Sequence, residues 1–207
     1  MLALQLNNFF IVDQNSPKKT KKIVIFASGN GTNAVNIFNY FKSYEDIEVT
    51  HIFSNKRDAK VLERANRLGI TPVCFTKSAF SKTDEVLILL KEIKPDLIVL
   101  AGFLLKIPQS IIDAFPDRII NIHPSLLPKY GGKGMYGSKV HETVIANKEV
   151  KSGISIHYVN PIYDDGKIIS QHEISVSESD TPESLAEKIH ELEYKYFPQV
   201  IHQILSS

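Results

Sequence analysis

The feature that most constrains the fold is a regular alternation between short apolar runs, rich in β-branched residues, and segments with helical spacing. The first apolar run covers residues 23–27, and apolar side chains at helical spacing follow over residues 33–41. Continuous apolar runs of this length are typical of strands buried on both faces of a parallel sheet. The alternation therefore predicts an α/β fold with a Rossmann-like, doubly wound, mostly parallel sheet.

The same pattern assigns an element to most of the chain. Strands are predicted at 23–27, 49–54, 72–75, 97–101 and 118–123, with helices at 33–41, 60–68, 81–93 and 111–114 between them. Residues 153–159 and 167–176 instead alternate apolar and polar side chains, which predicts a C-terminal hairpin. A long C-terminal helix is predicted from 182 to about 205, bent or interrupted near Pro198.

Residues 1–20 differ in composition from the rest of the chain. They contain apolar patches followed by a polar, lysine-rich stretch that holds Pro17. This composition favours a flexible N-terminal extension, and it makes a poor signal peptide because no basic region precedes the apolar part. Residues 21–207 contain no internal repeat or linker and are predicted to form a single domain.

Charge and cysteine content argue against several classes of protein. The 24 basic and 23 acidic residues give a net charge of +1, which disfavours nucleic acid as the main partner. No apolar run reaches the length of a membrane span, so no membrane association is expected. Cys74 is the only cysteine, which excludes an internal disulfide and favours a cytoplasmic location. Because Cys74 ends an apolar run, we expect it in the core.

A glycine-containing loop follows the first predicted strand. Its sequence, Ser28-Gly29-Asn30-Gly31-Thr32-Asn33, precedes the first predicted helix, where backbone N–H groups and the helix dipole favour an anion. Phosphate binding is therefore the favoured function, and a turn without a ligand is the alternative. A dinucleotide site would need an acidic residue after the second strand, where Lys56 and Arg57 stand instead. These two residues would suit the 2′-phosphate of NADP.

A second candidate site follows the strand at 118–123. Asn121 and His123 lie two residues apart and therefore share one face of that strand. An amide donor beside an imidazole suits acyl transfer, because the first stabilises an oxyanion and the second handles a proton. A carboxylate from the hairpin loop, Asp164 or Asp165, would complete the group. The alternative is a strand-end histidine beside an ordinary turn.

The remaining histidines, His141, His157 and His190 among them, are assigned no role from their positions in the sequence. No histidine or cysteine pair has the H-x-x-x-H or C-x-x-C spacing of metal ligands, so no metal is expected.

Taken in order, these motifs resemble those of the glycinamide ribonucleotide formyltransferases, folate-dependent enzymes of purine biosynthesis. The similarity runs from about residue 22 to the C-terminal helix, and its most specific part is the N-x-H-P-S-L-L-P sequence at 121–128. The other motifs that carry it are 28–33, 53–56, 99–103 and 153–159.

The resemblance implies transfer of a formyl group from the co-substrate 10-formyltetrahydrofolate to the amine of 5′-phosphoribosylglycinamide (GAR). It implies a catalytic trio of Asn121, His123 and Asp164, the last chosen over Asp165 by its offset from the 153–157 motif. The residues implied to bind GAR are Gly31, Thr32, Asn33 and Glu193. Those implied to bind folate are Leu104, Leu105, Lys106, Ile107, Asn121, Asn160 and Asp164.

The chain also departs from the family pattern. Residues 131–137 hold four glycines where the family carries histidines, and Leu104-Leu105 stands where an arginine is expected. A second arginine, expected after Phe80, is absent. These changes concern substrate contacts and not the trio.

Several other functions were weighed. Formyltetrahydrofolate hydrolase and methionyl-tRNA formyltransferase share the trio but carry a further domain. An NADP-dependent oxidoreductase or a non-catalytic nucleotide sensor would use only the glycine loop. Small-molecule substrates and a monomer or weak homodimer are expected.

Overall fold

The computed structural model describes residues 19–207, and the expected N-terminal extension lies almost entirely outside them. Seven strands form one sheet in the order β3-β2-β1-β4-β5-β6-β7. Strands β1 to β5 are parallel, whereas β6 is antiparallel to both β5 and β7. Their bounds are Lys21–Phe26, Ile47–Ser54, Thr71–Cys74, Leu97–Leu100, Ile119–His123, Lys151–Tyr158 and Ile168–Ser175. The predicted mostly parallel sheet and C-terminal hairpin are confirmed.

In the described part of the chain, residues 19–207, seven helices, α1 to α7, cover the two faces of this sheet. Their bounds are Thr32–Phe41, Lys60–Arg67, Lys77–Ser81, Glu85–Ile93, Gln109–Ala114, Ser138–Ala146 and Pro182–Ser206. Side chains on β1 alternate between the two faces: Ile23 and Ile25 pack in a core with α1, α2, α6 and α7, and Val24 and Phe26 pack in a core with α3, α4 and α5. Because both faces are buried, the strands have the continuous apolar sequences from which they were predicted.

The helix predicted at 81–93 is wrong in its first part. The structure has two helices there, and the residues between them include Asp84, whose φ of 54° is left-handed. The earlier helix begins where the Thr76 side chain accepts a hydrogen bond from the Ala79 amide at 3.1 Å. This local cap moves the helical start ahead of the predicted one.

The long C-terminal helix runs through Pro198 without interruption. Proline has no N–H to donate to the carbonyl four residues earlier, which belongs to Tyr194. Asn36 on α1 donates to that carbonyl from Nδ2 at 2.8 Å. A side chain of the neighbouring helix therefore supplies the missing hydrogen bond.

Two other features differ from expectation. Helix α6 was not predicted; it follows the glycine-containing segment 131–137. Cys74 is exposed at the end of β3 and does not lie in the core. The reason is that β3 is an edge strand, so its apolar run is only partly covered.

None of the helices in residues 19–207 is both long enough and apolar enough to cross a membrane.

Candidate active site

A cavity of about 650 Å³ opens where β1, β4 and β5 end. Between β1 and β4 the strand order reverses, and ligands of doubly wound sheets bind at such a point. The cavity volume lies in the range of small-molecule pockets. The lining residues are 29–33, 101–104, 121–124 and 132–137 together with His141, Tyr163, Asp164, His190, Glu193 and Tyr194.

The glycine loop forms one part of this lining and turns directly into α1. Gly31 precedes the helix with a left-handed φ of 73°. A Cβ atom there would lie 2.1 Å from Cγ2 of Val61, so both the backbone conformation and the space require glycine. The first helical hydrogen bond runs from the Val35 amide to the Gly31 carbonyl at 3.0 Å. The three amides before it are free at the helix N-terminus, where an anion is favoured.

Asn33 and Glu193 connect α1 to α7 at the cavity. Nδ2 of Asn33 donates to Oε2 of Glu193 at 2.8 Å. Oδ1 of Asn33 is buried and has no hydrogen-bond partner among residues 19–207. Burial raises the pKa of the Glu193 carboxyl above its ordinary value, while the Asn33 hydrogen bond and His190 oppose that rise. The structure therefore brings two of the predicted GAR-binding side chains together.

The predicted trio also converges on the cavity. Asn121 and His123 are on β5, and Asp164 reaches them from the loop between β6 and β7. Nδ2 of Asn121 lies 3.5 Å from Oδ1 of Asp164, and Nδ1 of His123 lies 3.6 Å from Oδ2 of Asp164. The side chain of His123 is 5% exposed and that of Asp164 is 13% exposed. Solvent screening of their interaction is correspondingly weak.

Both ring nitrogens of His123 face oxygen atoms. Nε2 lies 2.7 Å from the carbonyl oxygen of Tyr130, which can only accept, so Nε2 donates. Nδ1 faces the Asp164 carboxylate. The carboxylate thus lies beside the ring nitrogen that is not committed to the Tyr130 carbonyl.

The two neighbouring carboxylates of the hairpin loop have different surroundings. Asp164 accepts a hydrogen bond through Oδ2 from the Gly132 amide at 2.9 Å and is only partly exposed. Asp165 is exposed and accepts from Nδ2 of Asn160 at 3.1 Å. From the residues alone, either carboxylate could have completed the group with Asn121 and His123. In the structure only Asp164 faces the imidazole.

His157 is a site residue that the sequence analysis missed. It lies on β6 directly opposite Asn121 in the antiparallel ladder. Its Nε2 accepts from Nδ2 of Asn121 at 3.1 Å, and its Nδ1 donates to the Tyr158 carbonyl at 2.8 Å. Burial lowers its pKa, an effect only partly offset by the hydrogen bond to the Tyr158 carbonyl and by the charge of Asp164. What places His157 at the site is its pairing with Asn121 across β5 and β6, and this pairing is known only from the structure.

The glycine-containing segment 131–137 supplies much of the cavity lining. Two hydrogen bonds of Ser155 hold the loop before it in place. Oγ of Ser155 accepts from the Leu127 amide at 2.9 Å and donates to the Ser125 carbonyl at 2.7 Å.

Lys133 is the only lysine or arginine among the lining residues of the described chain. The segment thus carries the one permanent positive charge that borders the cavity.

Most of the predicted folate-binding residues border a second, smaller pocket. This pocket of about 60 Å³ shares Phe103, Asn121, Tyr163 and Asp164 with the main cavity. Leu105, Lys106, Ile107 and Asn160 line it, whereas Leu104 lines the main cavity. It has room for only a few water molecules.

Lys56 and Arg57, considered for a 2′-phosphate, do not line the cavity. Among residues 19–207, no three His, Cys, Asp or Glu side chains are grouped so that they could hold a metal ion. The cavity instead combines an anion-binding helix terminus with an amide, an imidazole and a carboxylate. Such a site can transfer an acyl group to a substrate that carries an anion.

The family model described as formyl transferase matches residues 21–201. A protein of Arabidopsis thaliana named phosphoribosylglycinamide formyltransferase, chloroplastic, is 38% identical over 198 residues and aligns with 90% of this chain. The phosphoribosylglycinamide formyltransferase of Bacillus subtilis is 37% identical over 192 residues and aligns with 89% of this chain.

The relatives differ in length from this chain. The chain spans 66% of the Arabidopsis protein and 95% of the Bacillus subtilis protein. Among solved structures, phosphoribosylglycinamide formyltransferase from Bacillus halodurans matches with a TM-score of 0.82 and 35% identity, over 90% of this chain and 96% of that one.

Proposed function

The chain belongs to the formyl transferase family, and on that premise we propose that it transfers a formyl group from 10-formyltetrahydrofolate to the amine of GAR. The product is formyl-GAR, and the reaction belongs to de novo purine biosynthesis. The names of the relatives at 37–38% identity support this choice of substrate.

One observation carries the proposal. Asp164 lies within 3.6 Å of both Asn121 and His123, along a cavity that the N-terminus of α1 also lines. A formyl transfer to a phosphorylated amine needs a site for the phosphate and a site for the chemistry, and one cavity offers both. Phosphate would bind the amides at Gly31, Thr32 and Asn33, with Lys133 available to neutralise its charge.

The chemistry follows from the trio. The GAR amine forms a bond to the formyl carbon, and the carbonyl electrons move to its oxygen. Nδ2 of Asn121 donates to Nε2 of His157 at 3.1 Å and to Oδ1 of Asp164 at 3.5 Å, and the oxyanion would replace the longer of these two hydrogen bonds. In its protonated form His123 would stabilise the oxyanion by its positive charge, because its Nε2 donates to the Tyr130 carbonyl and its Nδ1 faces Asp164. As the bond to N10 of the folate breaks, the proton lost by the amine passes to N10.

The residues of the second pocket support a folate donor. Leu105 and Ile107 give it apolar walls, and Asn160 and Asp164 give it polar groups. Because the pocket adjoins Asn121, a folate held there would present its formyl group to the trio. Glu193 lies in the main cavity, where its carboxylate suits the amine end of GAR.

The test is a spectrophotometric assay with 10-formyl folate, run with and without GAR. Deformylated folate released only when GAR is present is the expected result. Release without GAR would identify a hydrolase, and no release in either case would contradict formyl transfer. Asn121→Ala or His123→Ala should fold normally and lose at least about a hundredfold in turnover, the usual cost of removing one oxyanion donor.

The cytoplasmic location, the monomer or weak homodimer, the absence of a metal and the single domain over 21–207 remain predictions.

A further inference from the structure

His141 lies on α6 and is buried, with a relative exposure of 4%. Its side chain lines the main cavity together with the glycine loop and the trio. Neither ring nitrogen has a hydrogen-bond partner among residues 19–207: Nδ1 is fully buried, whereas Nε2 is not. A polar side chain that is almost fully buried and makes no hydrogen bond is unfavourable, and a native protein rarely keeps one unless a ligand or water satisfies it.

The surroundings hold the ring in place. Val140 and Val144, the neighbours of His141 on α6, are both fully buried, and α6 packs against α7. The ionisable groups that act on His141 are His190 from α7, His123 from β5 and Glu142 from its own helix. Burial, assisted by the two histidines, lowers the pKa of His141 to about 4. The ring is therefore neutral at physiological pH.

We propose that His141 binds a ribose hydroxyl of the ribonucleotide substrate through Nε2, the ring nitrogen that is not fully buried. This inference rests on the proposed function and adds a specificity-determining residue to it. His141 borders the same cavity as the free amides at 31–33 and the Asn121–His123 pair. In GAR the ribose joins the phosphate to the glycinamide, so a residue that borders both parts of the site is placed to contact it.

The choice of a hydroxyl follows from the chemistry of the ring. A neutral imidazole binds a phosphate less strongly than a cationic side chain does. The free amides at the N-terminus of α1 are moreover available to bind the phosphate. A neutral imidazole has one donor and one acceptor nitrogen, according to its tautomer. A hydroxyl can both donate and accept, so it can form a hydrogen bond with Nε2 in either tautomer.

The test compares GAR with its 2′-deoxy and 3′-deoxy analogues as substrates of the unmodified enzyme and of variants. We expect one deoxy analogue to lower kcat/KM about 10- to 100-fold for the unmodified enzyme, mainly through KM, because a buried group is left unpaired. For His141→Phe, GAR and that analogue should have equal kcat/KM. His141→Gln places an amide atom near the Nε2 position and should restore part of the selectivity.

Selectivity distinguishes binding from packing, because a packing defect lowers the rate with all three substrates by the same factor. His172→Phe, on β7 and outside the cavity, is the matched control and should keep the full selectivity. Equal kcat/KM of the unmodified enzyme for GAR and both analogues would overturn the proposal without any variant. Unchanged selectivity in His141→Phe would also overturn it. Absence of turnover with GAR itself would instead contradict the proposed function.

Discussion

Nδ2 of Asn121 donates to Nε2 of His157 across 3.1 Å, and His157 donates in turn from Nδ1 to its neighbouring backbone carbonyl at 2.8 Å. Because the Nδ1 proton is committed to that carbonyl, Nε2 is left as an acceptor. An acceptor at this position requires the amide nitrogen of Asn121, and not its oxygen, to face it. The register of β5 and β6 therefore sets which way the amide of the proposed oxyanion donor points.

Replacing His157 should impair the alignment of Asn121 without touching substrate. We expect His157→Phe to lower kcat about tenfold with little change in KM, since one hydrogen bond that orients a catalytic group is lost. Steady-state kinetics with GAR and 10-formyl folate measure this. His202→Phe, outside the cavity on α7, is the control and should keep the full rate. A rise in KM at unchanged kcat would contradict a positioning role.

Asp164 and Asp165 form a natural pair for testing the trio. Asp164→Asn removes the charge opposite Nδ1 of His123, and we expect kcat/KM to fall about 10²- to 10³-fold, as for the loss of other transition-state interactions. Asp165→Asn changes an exposed carboxylate bonded to Asn160 and should leave the rate within about twofold. Equal losses in the two variants would refute the assignment of Asp164.

The glycine loop offers a second matched pair. Gly31→Ala places a methyl group 2.1 Å from Val61 Cγ2 in a left-handed conformation, which should cost at least about 1–2 kcal/mol of stability and raise the KM for GAR. At Gly29 a Cβ meets nothing within 4 Å, so Gly29→Ala should unfold at nearly the same denaturant concentration as the unmodified protein. Urea titrations of the three proteins, combined with GAR kinetics, check both statements.

Glu193 should link stability to pH. The folded-state pKa is raised above the ordinary carboxyl value by burial. The folded protein therefore binds the proton more tightly than the unfolded chain does. Protonation of Glu193 thus stabilises the folded state at low pH, and this stabilisation is lost as pH rises through the folded pKa. We expect Glu193→Gln to be more stable than the unmodified protein at pH 8 by about 1 kcal/mol, and to bind GAR more weakly.

Thermal unfolding across pH 4 to 8 tests that expectation. Glu191→Gln, an exposed position on the same helix, should follow the unmodified protein at every pH. The stability difference caused by Glu193→Gln should shrink toward acidic pH, because the carboxyl is then protonated in both states. A difference that is constant over this range would show that the charge of Glu193 is not its source.

Much of the fold could be predicted from local sequence patterns. The strands of the sheet and the helix after Gly31 follow from apolar runs and from glycine at a left-handed position, both of which are encoded within a few residues. The wrong predictions concern residues whose structure depends on contacts with elements far away in the sequence. Cys74 ends an apolar run but lies on an edge strand, and the helix through Pro198 continues because Asn36 supplies the missing hydrogen bond.

The sequence by itself determined the doubly wound sheet, the place of the glycine loop and the shared strand face of Asn121 and His123, because each depends on spacing of a few residues. Only the tertiary structure decided that Asp164 and not Asp165 faces His123, that His157 orients Asn121, and that Nδ1 of His141 is buried without a partner. The physical reason is that these relations join strands and helices far apart in the chain. Their geometry depends on strand register and helix packing, which local sequence does not specify.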